Sequence, residues 1–144
     1  MDAPRRRVVS LAALGGGIGA LAVDALYLNL ILQQRATPPG GRVPFIAAWI
    51  ASAGVLALIG AVTTEPRRRA WLLGWSAAFL LALSLPATFS IGIPLLLCAV
   101  PIGLGAMRAA EVLTMPRWVA FLAPIGFVAV AGAGLLLGFV ATAP

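Results

Sequence analysis

Residues 70–107 read AWLLGWSAAFLLALSLPATFSIGIPLLLCAVPIGLGAM, 38 residues without a charged side chain. As one helix rising 1.5 Å per residue, the run would extend about 57 Å. The hydrocarbon core of a bilayer is about 30 Å thick, so a single crossing cannot use all of it. Leu85-Pro86-Ala87-Thr88-Phe89-Ser90 interrupts the run near its middle. Proline removes a helical donor and pushes the residue before it out of the helical region. The run therefore predicts a tight hairpin of two short spans, 70–85 and 90–107. If it were re-entrant or broken instead, the chain would cross four times and not five.

The totals place that hairpin in a membrane protein. Of 144 residues, 62% are hydrophobic and only 10% charged, and the mean hydropathy is +1.06. Soluble domains carry about 25% charged residues. This chain has too little polar surface to cover a water-soluble globule. Outward from the hairpin, three more apolar runs predict spans at 8–32, 44–62 and 118–140. A Pro- and Gly-rich loop separates the first two, and Thr63-Thr64-Glu65-Pro66 closes the second. The fold class is thus all-α: one integral-membrane domain over residues 1–144, a polytopic transmembrane bundle of five spans. The soluble portions are too small to fold alone.

Arginine placement tests the count. The net charge is +6 and every basic residue is arginine. With five spans, Arg5, Arg6, Arg7, Arg67, Arg68, Arg69, Arg108 and Arg117 fall on one side, and Arg35 and Arg42 on the other. A single crossing of 70–107 would make the division six to four. Cytoplasmic loops are enriched in Lys and Arg, so the bias favours five spans, the N-terminus cytoplasmic and the C-terminus outside. The absence of lysine and the heavy use of Ala, Gly, Pro and Arg point to a GC-rich bacterial genome, hence a bacterial plasma membrane. Arg5–Arg7 and Arg67–Arg69 are the expected topology anchors and contacts for anionic lipid. Because the arginines flank apolar runs, the partners expected are membrane lipids, and nucleic acid is not among them. Twin arginines before a Gly-rich apolar stretch resemble an export signal, with Ala20-Leu21-Ala22 as a cleavage triplet. The apolar run continues to Leu32, too long for a signal core, so an uncleaved first span is expected. The stretches 64–72 and 114–122 echo each other, as expected where a Thr cap, an early Pro and an Arg anchor start two helices alike.

Few residues offer chemistry. There is no histidine, and Cys98 is the only cysteine. No enzyme motif and no paired acids within the membrane are present, so the chain reads as a non-enzyme needing no cofactor or metal. Asp24 is the one acid inside a span. A charge in hydrocarbon costs about 2.5 kcal/mol or more and requires a partner, a proton or a cavity. Ala13, Gly17, Ala20 and Tyr27 share its helical face, so it should point inward. Ser52 lies at a similar depth, which predicts a Ser52–Asp24 hydrogen bond, with Tyr27 completing a polar site; Arg42 is a second candidate partner. Gly15 with Gly19, and Gly134 with Gly138, are GxxxG pairs that predict helix-packing seams, within the bundle or between two copies. Pro94 and Pro101 share one face of the fourth span and are a candidate hinge. Two functions follow from these features: a non-catalytic subunit, scaffold or assembly factor of a membrane complex, self-associating or with other subunits, or a small proton- or cation-linked transporter centred on Asp24.

Overall fold

In the computed structural model the backbone is described for residues 3–33, 41–113 and 117–142, and side chains for 7–33, 41–113 and 122–142. Five helices follow in order: α1 (Ala3–Gln33), α2 (Arg42–Val62), α3 (Pro66–Ser84), α4 (Ile93–Ala110) and α5 (Arg117–Ala141). A single π-helical turn, Thr88–Gly92, leads into α4. No strand occurs among the described residues. The break in the long apolar run falls where Pro86 predicts it. A single helix runs through Ala20-Leu21-Ala22.

α1 to α4 form a closed ring in which each helix packs against the next and α4 returns to α1, while α5 lies outside the ring against α3. Close contacts give the direction of each neighbour. Gly17 lies against Ala57, and Leu21 against Gly54, so α2 runs opposite to α1. Gly60 meets Leu73, Gly105 meets Leu73 and Val9, and Gly74 meets Phe127. α1, α3 and α5 are therefore parallel, and α2 and α4 run against them. One end of the bundle carries Arg7, Arg67, Arg68, Arg69 and Arg108. The far end carries Gln33, Arg42, the π-helical turn and Thr142.

Ile50, Leu73, Leu80, Leu95 and Ile102 fill the centre, with Ala13, Ala20, Ala53 and Ala57 between them. In lipid there is no hydrophobic drive between helices, so close packing of small residues and interhelical hydrogen bonds hold such a bundle. Outward-facing side chains are apolar along every helix, among them Leu11, Val55, Trp71, Leu97 and Leu136. This is the reverse of a soluble globule.

Four helical stretches are long and apolar enough to cross a membrane: Arg7–Gln33, Arg42–Val62, Thr88–Ala110 and Leu122–Ala141. α3 is not one of them, because it begins Pro66-Arg67-Arg68-Arg69 and its apolar part is short. It is also the helix with α2, α4 and α5 all packed on it. A helix screened from lipid by its neighbours needs less hydrophobicity than one that faces it.

The two glycine pairs resolve differently from one another. Gly134 and Gly138 are a seam inside the chain, against Trp49 and Phe45 of α2. Gly19 meets the Cys98 sulfur on α4, but Gly15 faces open space. The glycines that draw α1 close to its neighbours are Gly16, on Ile102 and Cys98, and Gly17, on Gly54 and Ala57. The proline hinge is also altered. Pro94 occupies the first turn of α4, where its missing N–H costs nothing, so only Pro101 lies within the helix.

Candidate functional site

Asp24 faces inward as its helical neighbours predict, with 8% of its surface exposed. The Leu21–Gly54 and Gly19–Cys98 contacts fix the local register. One turn further on, Asp24 is level with Ile50 of α2 and with the start of α4. Its Oδ1 is buried and has no hydrogen-bond partner among the described residues. Tyr27, one turn nearer the far end and half-buried, lies within electrostatic reach of the carboxyl.

Ser52 does not join this site. Its hydroxyl donates to the Ala48 carbonyl of its own helix at 2.6 Å, and the residue is exposed. The depth expected for Ser52 is sound, but the direction is wrong. The inward face of α2 is Ile50, Ala53 and Ala57, and at 3.6 residues per turn Ser52 lies well off that stripe. Arg42 is exposed and makes no ion pair among the described residues.

Among the described residues the bundle interior holds three further polar side chains. Arg69 is 4% exposed and its Nη2 donates to the Ser10 hydroxyl at 2.7 Å. This separates it from Arg67 and Arg68, which stay exposed as the anchor reading expects. The side chains of Arg5 and Arg6 lie outside the described residues. Ser76 donates to the Ala53 carbonyl at 2.7 Å, joining α3 to α2. Ser84 donates to Leu81 of its own helix at 2.9 Å. Arg69, Leu73, Ser76, Leu80 and Leu83 recur at helical spacing, and that stripe was the signal for the inward turn of Arg69.

Arg69 and Asp24 do not meet. Arg69 is level with Ser10 on α1, and fourteen residues of helix to Asp24 amount to about 21 Å. The opposite charges therefore occupy opposite ends of the interior, with aliphatic side chains and Ser76 between them. The Asp24 carboxyl can hold a proton, and among the described residues neither it nor Tyr27 is positioned as a nucleophile with a base. Among the described residues no three acidic, histidine or cysteine side chains converge. An open apolar groove of about 270 Å³ lies over Leu81 and Leu85 between α4 and Val128 of α5, and Asp24 does not line it.

A file of seven aromatic rings escaped sequence reasoning. Phe139, Phe45, Trp49, Phe79, Trp75, Phe127 and Trp71 each contact the next, at centroid separations from 4.4 to 6.2 Å. The file runs along the seam of α2, α3 and α5. The Trp49 indole also donates to the Phe79 carbonyl at 3.0 Å. Offset and edge-to-face pairs of this kind contribute about 0.5–1.5 kcal/mol each. No protein-family model, curated protein or solved structure matches the chain.

Proposed function

We propose that the chain is a non-catalytic subunit or scaffold of a larger membrane assembly, set in a bacterial plasma membrane with its arginine-rich end cytoplasmic. The observation that carries this reading is α5. Only 11% of its apolar span is buried, and a side chain added at Gly126 or Gly132 would meet nothing within 4 Å. Exposed Ala129 and Ala133 continue that small-residue face. Small residues on an apolar helix allow another helix to approach closely. Elsewhere in the bundle Gly16, Gly17, Gly54 and Gly60 are used internally, although Gly15 on α1 also faces open space. The test is a photo-crosslinking amino acid placed at Ala129 or Ala133 in native membranes. A discrete adduct is expected from these sites and none from Val55 or Ile59 on the outer face of α2. Equal labelling, or no adduct at any of the four, would overturn the proposal.

A second reading rests on Asp24. A buried carboxylate oxygen without a hydrogen-bond donor is expensive, and acids within membranes often mark ion paths. This favours a proton- or cation-linked transporter as the alternative. Its test is proton flux into proteoliposomes carrying the native chain or Asp24→Asn; flux that is present and unchanged by the substitution removes Asp24 from the path.

A further inference from the structure

The arginine-rich end repeats one arrangement on three helices. Arg7 stands one turn from Leu11 on α1, Arg67 one turn from Trp71 on α3, and Arg108 one turn from Leu104 on α4. All six residues are exposed. Residues four apart share a helical face, so each arginine sits directly above an exposed apolar side chain; Trp71 keeps about half of its surface open, its ring also packing edge-on against Phe127 of α5. α4 packs between α1 and α3, which puts the three pairs side by side around one rim.

Charge at this end is unbalanced. Among the residues whose side chains are described it holds five arginines and two glutamates. Glu65 is occupied by Arg68 at 2.9 Å, and Glu111 stands 3.8 Å from Arg108 on an exposed turn. Arg7 and Arg67 make no ion pair among the described residues. A soluble anion or a nucleic acid would use the arginines and have no use for the apolar row beneath them. A phospholipid uses both.

We propose that this rim binds anionic phospholipid, with headgroup phosphates at Arg7, Arg67 and Arg108 and acyl chains along Leu11, Trp71 and Leu104. Guanidinium suits a phosphate diester through paired N–H donors. The indole of Trp71 suits the boundary between headgroup and chain. The assignment is independent of what α5 or Asp24 does.

The experiment offers the detergent-solubilised full chain an equimolar mixture of phosphatidylglycerol and phosphatidylcholine and reads the retained lipid by native mass spectrometry. Retention of phosphatidylglycerol in excess is expected. Its preference should fall about fivefold on removal of one arginine by Arg7→Gln, Arg67→Gln or Arg108→Gln, and stay unchanged in Arg42→Gln at the far end. Should Arg7→Gln or Arg108→Gln not purify as a single species, Arg67→Gln alone carries the comparison, with Arg67→Lys retaining most of the preference. The proposal is overturned if the native chain holds both lipids equally, or if Arg42→Gln loses as much as the rim variants. Displacement of the lipid by soluble glycerol phosphate would also overturn it, since the rim would then be a site for a small anion.

Discussion

Arg69 reaches from the first turn of α3 to donate to the hydroxyl of Ser10 on α1 at 2.7 Å. α1 and α3 sit across the ring from each other, so this bond spans the bundle where the chain enters it. A guanidinium buried to this degree has exchanged water for its partners, and their removal leaves it exposed to that cost.

Arg69→Ala and Ser10→Ala are each expected to lower stability by about 1.5–3 kcal/mol, the range for a charge-assisted bond. Thermal unfolding in a mild detergent measures both. Arg67→Ala, on an exposed position in the same turn, should change the midpoint little.

The glycine run of α1 offers a contrast within two neighbouring residues. A methyl group added at Gly16 would lie 2.6 Å from the Ile102 side chain and 2.9 Å from the Cys98 carbonyl oxygen, whereas at Gly15 it meets nothing within 4 Å. Gly16→Ala should cost about 1–3 kcal/mol through overpacking. Gly15→Ala should be neutral or gain up to about 1 kcal/mol from helix propensity. If Gly15→Ala proved the more damaging, the α1–α4 contact would be wrongly placed.

Much of the architecture could be read from the residues, and the failures have one cause. Length against bilayer thickness located the break at Pro86, and arginine bias gave the alternation that the helix directions show. Both depend on position along the chain. Ser52 and Gly15 were misread because their roles depend on rotation about the helix axis. In lipid the outer face is as apolar as the core, so hydrophobicity marks no inside. Arg69, expected as an exposed anchor, was misread in the same way: it turns inward to Ser10, on the stripe that its spacing to Leu73 and Ser76 marks. The aromatic file joins rings from three helices, and no pattern within one helix announces it.

Gly92 closes the hairpin between α3 and α4. An added methyl group there would collide with the Ser84 carbonyl oxygen and with the backbone of Ala87, whose oxygen also accepts from the Gly92 N–H at 2.7 Å. Backbone cannot yield as a flexible side chain does, so Gly92→Ala should cost about 3 kcal/mol, the upper end for overpacking. Limited proteolysis near Leu85 in detergent provides the readout: faster cleavage in the variant is expected, and equal cleavage would remove Gly92 from this role.

Asp24 yields a prediction of opposite sign. A buried acceptor without a donor costs about 1–3 kcal/mol. Asp24→Leu, which removes the acceptor, should therefore raise the thermal midpoint, while Asp24→Asn should leave it nearly unchanged. A fall in the midpoint with leucine would mean that the carboxyl has a stabilising partner in the purified protein.

The ring file also equips the bundle with its own optical gauge. α5 contributes Phe139 at one terminus of the file and Phe127 between the indoles of Trp71 and Trp75. Departure of α5 would strip ring neighbours from those two fluorophores, yet leave Trp49 stacked on Phe79. Emission from the unlabelled protein, followed during reconstitution, thus separates peeling of the outermost helix from collapse of the ring it leans on.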